Sequence, residues 1–216
     1  MAKLFDEQAA RYNVRPYHNM EEAAARGMAE AKQDFISRQG KWRYPGPVSN
    51  ITGQEAPPVN IRGFTMTARL GLESGTETGP LFAYGGQLGG IGLYLKEGKP
   101  VLIMNGLDGT SDSVMADKAL AAGSHAIELK LARGRTAEDG TGEYRVTISS
   151  GDTVLVDRPM RFRMAQYFGL PATFGVGEDE GSPVMKGYRA GVPFPGRISD
   201  VVFDFSATGP GATELH

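Results

Sequence analysis

Few side chains in this sequence are equipped for covalent chemistry. It has no cysteine, which excludes a thiolate nucleophile, a disulfide framework and cysteine-ligated zinc. Its histidines are His18, His125 and the terminal His216, too sparse for a two-histidine metal site or a proton relay. His125 precedes Ile127 on the inward-facing parity of its strand, so it is one candidate buried base, the alternative being a strand-end imidazole capped by backbone. His18, between Tyr17 and a helix cap, is the other candidate catalytic group, with a structural role as its alternative. No G-x-S-x-G elbow occurs, and Ser113, Ser124 and Ser182 have no activating neighbour.

Two loops stand out by composition. Gly85-Gly86-Gln87-Leu88-Gly89-Gly90-Ile91-Gly92 is dense in glycine, but a phosphate-cradling loop needs a strand before it and a helix after it, and here a strand follows. A tight turn or bulge between two strands accounts for it better. The acidic run Glu178-Asp179-Glu180, framed by Gly177 and Gly181, offers hard oxygen ligands. Calcium is therefore the one cofactor alternative to none, set against a solvated turn, because three adjacent carboxylates cannot all face one ion. For a ligand groove on a concave sheet, the polar and aromatic candidates are Tyr84, Gln87, Tyr94, Asn105, Arg163, Gln166 and Tyr167, which would hold a carbohydrate-like or aromatic small molecule. Each is also ordinary sheet surface. Trp42 reads as a lid on the core.

The elements that must position these residues follow from hydrophobic period. In residues 1–59, Asn19 and Glu22 have capping-box spacing, and Met20, Ala24, Met28, Ala31 and Phe35 form one helical stripe, predicting an amphipathic helix over 20–38. The proline-rich segment 41–60 predicts an extended strap and disfavours helix or central strand. This arm is expected to fold back on the remainder, so deleting residues 1–40 should cost solubility or stability.

From Ile61 the period changes to two. Phe64, Met66, Ala68, Leu70 and Leu72 alternate with polar or small residues, as do Ile127, Leu129 and Leu131, then Tyr144, Val146 and Ile148, then Val201, Phe203 and Phe205. Glu97-Gly98 and Gly151-Asp152 fall at hairpin spacing between such runs. The pattern predicts an all-β, antiparallel, two-sheet jelly-roll sandwich of concanavalin A-like type over 60–216, preceded by the helical arm of 1–59.

Composition narrows the partners. A chain of 216 residues, 40% hydrophobic, is long enough for one such core. Its 23 basic and 25 acidic residues are dispersed and leave no basic footprint for nucleic acid or an anionic membrane. No apolar run approaches the ~20 residues of a membrane helix, and no leader is evident. The expected location is cytoplasmic, or exported if a leader has been removed.

Four stretches, PLFAYGGQLGGIGLYLKEGKPVLIMNGL, GSHAIELKLAR, GVGEDEGSPV and FPGRISDVVFDF, resemble in order and spacing the C-terminal accessory region of bacterial arylsulfatases. QAARYNVRPYHNM resembles the linker that precedes that region. The resemblance implies a concanavalin-like fold and contact with a partner enzyme or a ligand. It carries over no catalytic residue: sulfatases make their nucleophile from a Cys or Ser two residues before a Pro, and here none of the 13 prolines has either there. Three functions remain open. The leading one is a non-catalytic binding or interaction module; the others are a jelly-roll lyase, isomerase or hydrolase, and a structural subunit of a homo-oligomer.

Overall fold

The computed structural model describes residues 40–53, 55–165, 168 and 172–206. The predicted helix over 20–38, with His18, lies outside these residues, as do Gln166 and Tyr167. Among the described residues are twelve strands and no helix: β1 (Lys41–Tyr44), β2 (Val48–Thr52), β3 (Phe64–Leu72), β4 (Gly79–Gly85), β5 (Gly90–Lys96), β6 (Lys99–Asn105), β7 (Ser111–Met115), β8 (Gly123–Thr136), β9 (Gly142–Ser150), β10 (Thr153–Phe162), β11 (Thr173–Val176) and β12 (Arg197–Asp204). Every pairing is antiparallel. Sheet A runs β1-β12-β3-β8-β9-β10 and sheet B runs β2-β11-β4-β5-β6-β7, which is the predicted two-sheet sandwich.

The strap of 41–60 contributes an edge strand to each sheet, β1 and β2. Proline explains the placement: Pro45 and Pro47 break the chain between the two strands, and prolines are tolerated at sheet margins, where a missing N–H orphans no partner. Trp42 on β1 stands edge-on to Phe205 at 5.5 Å between ring centroids.

Between the sheets, inward positions interdigitate. Phe203 of β12 and Phe64 of β3 meet Phe82 of β4 and Phe174 of β11, with Phe82 and Phe203 at 5.2 Å and nearly perpendicular. All four rings are fully buried. β3 keeps strict alternation, so its outward side chains face solvent.

Sheet B differs, because nearly every residue of β4, β5 and β6 is buried. Cross-strand pairs assign the faces: Phe82, Leu93 and Leu102 align inward, while Ala83, Tyr94, Val101 and Ile103 lie on the opposite face. That second face is covered by the loop after β11, through Val184, Met185 and Tyr188. A strand buried on both sides reads as a continuous apolar run, and LFAY, IGLYL and VLIM are such runs.

The hairpin between β5 and β6 turns at Glu97 (φ 51°) and Gly98 (φ 74°), the two positive angles of a type I′ turn. Gly98 is also fixed by space, since a Cβ there would fall 1.9 Å from the Gly75 carbonyl oxygen. Gly98→Ala is therefore expected to cost about 2–4 kcal/mol, the left-handed backbone and the clash acting together. A urea midpoint unchanged from the parent would contradict this.

Candidate functional site

The covering loop is pinned from inside sheet B. Tyr94, on the outer face of β5, is wholly buried, and its hydroxyl donates to Asp179 Oδ2. The same oxygen accepts the Val184 N–H at 2.8 Å, and Tyr94 Oη accepts the Met185 N–H at 3.3 Å. The Tyr188 ring packs edge-on to Tyr94 at 5.8 Å. Asn105 adds a second pin, its Nδ2 donating to the carbonyls of Gly86 and Val184 at 3.0 and 2.8 Å while its Oδ1 accepts from Ser111 Oγ. Close approach depends on glycine: a Cβ on Gly86 would lie 2.5 Å from the Ser182 carbonyl oxygen, and one on Gly90 would lie 3.0 Å from Val184. The glycine-rich stretch is thus the tight turn expected of it, and also the surface on which the loop is seated.

Burial sets the ionisation of this cluster. Desolvation pushes the Asp179 carboxyl up to about 6, against the Tyr94 and Val184 donors that lower it and with a small further rise from Glu180. Desolvation, then the Asp179 charge, raises the Tyr94 hydroxyl far above its ordinary range. Asp179 is 3% exposed, which corrects the expectation of a solvated acidic turn there: the chain turns its carboxylate inward to two donors. Glu178 and Glu180 are only partly buried. Among the described residues no three carboxylate or imidazole groups converge as metal ligands.

Among the described residues, the sequence-derived ligand candidates are not gathered on one open groove. Tyr84 is buried on the inner face, against Phe168 and Phe174. Tyr94 and Asn105 lie beneath the covering loop, and Gln87 is exposed at the tip of the β4–β5 turn. Arg163 is exposed elsewhere. It helps hold the Asp108 and Asp139 carboxyls low, behind the hydrogen bonds those groups receive from Thr110 and Thr141.

His125 sits half-buried near the start of β8. Its Nε2 is 2.8 Å from the Ala121 carbonyl oxygen, which can only accept, so Nε2 carries the proton. Nδ1 therefore accepts from Ser150 Oγ, 3.2 Å away. The pair has the reach of a nucleophile and base, but an acyl-transfer site also needs free backbone donors for an oxyanion. The adjacent Gly151 N–H is already spent on the Ala126 carbonyl. This is the backbone-capped imidazole given above as the alternative to a buried base.

A different feature lies on the outer face of sheet A. Ion pairs described there join Lys41 to Asp204 at 2.9 Å, Arg43 to Asp200 at 2.8 Å and Arg145 to Asp157 at 2.7 Å. The Arg145 hydrogen bond holds the Asp157 carboxyl below its ordinary value. Across β12, β3 and β8, Arg197, Gly71 and Ser124 align, and two positions further along β3, on the same face, so do Asp200, Arg69 and Ala126. Small residues in both rows leave a shallow depression of about 470 Å3, lined by Arg69, Gly71, Ser124, His125, Arg197 and Ser199, with Leu70 and Ala126 beneath. The β12 bulge at Ser199 lets that hydroxyl donate to the Arg69 carbonyl at 3.2 Å. Because Asp200 turns its carboxylate to Arg43, Arg69 and Arg197 have no carboxylate within ion-pair distance among the described residues. Sequence reasoning missed this site, and its signal was two arginines at outward parity on strands that only the register makes neighbours.

No family model matches the sequence, and no curated protein matches it. Among solved structures, the chain is similar to the CBM40 module of the Ruminococcus gnavus IT-sialidase bound to alpha2,3 sialyllactose, at 14% identity and a TM-score of 0.52 over 76% of this chain and 91% of that one. The same module bound to alpha2,6 sialyllactose aligns at 14% identity and a TM-score of 0.50, over 76% and 89% of the two chains. Mouse laminin alpha1 domains LG4-5 align at 12% identity and a TM-score of 0.46, over 77% and 42%. At such identities the likeness is one of architecture, and it places the chain among the concanavalin-like jelly-roll sandwiches.

Proposed function

We propose that this protein is a non-catalytic binding module that holds a saccharide on the open face of sheet A. The observation that carries the reading is the depression over Gly71, where hydroxyl and guanidinium donors surround a floor of small side chains. Hydroxyl-rich ligands pair with such donors, and a shallow site suits a saccharide that rests on a sheet without being enclosed. A sandwich of the same architecture is bound to sialyllactose, which supports the reading from outside this chain. Isothermal titration against a panel of soluble oligosaccharides, with product analysis of the same mixtures, tests it. Saturable binding with the sugar recovered intact is expected; conversion of any sugar, or no binding across the panel, would refute it.

A narrower reading keeps the resemblance to the arylsulfatase accessory region. The matching stretches fall on β4 to β6, on β8, on the Asp179 loop and on β12, so they belong to one sandwich. On that reading the module serves a separately encoded sulfatase. Mixing it with such a catalytic domain should give one shared peak by size-exclusion with light scattering, and two independent peaks would remove the idea.

A further inference from the structure

The geometry points to an oxyanion subsite in the depression over Gly71: we propose that Arg69 and Arg197 together bind a carboxylate or sulfate group carried on a saccharide, an inference that rests on the binding-module reading above.

Arg197 faces Gly71 directly across the β12–β3 ladder, and Arg69 is two residues from Gly71 on the same face. The two arginines are therefore diagonal neighbours, a relation that keeps long side chains within reach of one another. Both are exposed, and among the described residues no carboxylate pairs with either. Two guanidinium groups so placed repel, and an oxyanion between them turns the repulsion into two charge-assisted, fork-shaped hydrogen bonds. Asp200, directly across from Arg69, is the nearest cross-strand carboxylate, but it is hydrogen-bonded to Arg43 at 2.8 Å; Asp204 and Asp157 pair with Lys41 and Arg145 elsewhere on the sheet. At the depression the pocket lining contains no acidic residue.

The floor fits a ligand as well. A Cβ built on Gly71 would have only the Arg197 Cβ within 4 Å, at 3.9 Å, so the space above the strand is open. Gly71 is not among the residues with positive φ, so its conformation does not require glycine. What an added side chain would remove is the hollow. Ser124 opposite Gly71, and Ser199 at the bulge, border it with hydroxyls that suit sugar oxygens flanking the charged group.

The test titrates the full chain with lactose, 3′-sialyllactose and 3′-sulfated lactose at two salt concentrations, then repeats the series with Arg69→Gln, Arg197→Gln and Gly71→Val. The expected result is binding of at least one charged sugar about tenfold or more tighter than lactose, weakened about tenfold by either arginine variant and by added salt. Gly71→Val should abolish binding with the thermal midpoint unchanged, and the arginine variants decide the matter even if it does not fold. Which charged sugar wins separates carboxylate from sulfate. Equal affinity for lactose and the charged sugars, indifferent to both arginines, would overturn the oxyanion subsite while leaving the binding module standing. Failure of all three sugars, with or without arginine-dependent binding of an acidic peptide, would overturn both.

Discussion

Phe203→Ala is expected to lower the unfolding free energy by about 3–5 kcal/mol, the range for truncating a fully buried aromatic ring. The upper half of that range applies here because the site cannot collapse. Phe203 is packed by Phe82 at 5.2 Å, Phe174 at 5.6 Å and Phe64 at 5.9 Å, with Tyr44 at 6.3 Å. Those rings come from both sheets and are held by separate ladders, so closing the cavity would mean moving the sheets together. Edge-to-face contacts of about 0.5–1.5 kcal/mol per pair are lost as well. For a domain of this size the melting temperature should fall by roughly 10 °C. Phe203→Leu, which refills most of the volume, should recover more than half of the loss. The lone tryptophan, on the edge strand paired with β12, reports the transition by fluorescence. A loss under about 1 kcal/mol would mean that the aromatic cluster is not the centre of the core.

Sheet A was legible in the sequence because its strands carry the period-two signal undiluted. Phe64 to Leu72 alternates without a break, as do the residues opposite on β8 and, beyond the bulge at Ser199, on β12. Turn chemistry was equally plain at Glu97-Gly98, where the backbone must take two positive φ values in succession. Pairing of the 41–52 stretch with both sheets was not legible. Local sequence marks proline as unfit for a central strand but does not say which edge will accept the chain.

The binding surface was harder to read, and sheet B shows why. Tyr94 and Asn105 are the residue types of a sugar-binding face, and they sit together on the outer face of sheet B, whereas Tyr84 on β4 points into the core. Whether such a face is open depends on what packs over it. Here the cover is a loop whose apolar content, Val184, Met185 and Tyr188, is scattered among glycine, proline and charge, so it has no period to detect. Arg69 and Arg197 present the opposite difficulty. They lie more than half the chain apart and are neighbours only through the β3–β12 register, including its bulge at Ser199. Hydrophobic pattern fixes which face a residue takes but leaves the strand order open, and the strand order made this site.

Asp179 gives the loop over sheet B a pH dependence whose sign can be worked out. Its carboxyl is raised from 3.8 to about 6 in the folded chain, chiefly by desolvation. The stability tied to this group is therefore complete below pH 4, is lost as pH rises toward 6, and stays lost above. Two pKa units correspond to roughly 3 kcal/mol. The groups facing it are Tyr94 from β5 and, from the loop itself, Tyr188, Glu180 and the Val184 N–H; none is a cation. Asp179→Asn keeps an oxygen for the Tyr94 hydroxyl and the Val184 N–H but cannot ionise. The variant should match the parent near pH 3.5 and exceed it by up to about 3 kcal/mol at pH 7.5, read from urea denaturation at both values. Glu77 acts in the opposite sense: although its burial raises the pKa, hydrogen bonds from the backbone of Ser74, Glu77 and Glu73 and from the Ser74 hydroxyl hold it at about 2, so its contribution fails only as pH falls below about 4.5. The difference between parent and variant cancels that term and isolates Asp179. A variant weaker than the parent by the same margin at both pH values would show that the ionised carboxylate stabilises the loop. The inward-facing Asp179 would then be a fixed anchor of the covering loop at every pH, with no titration to loosen it.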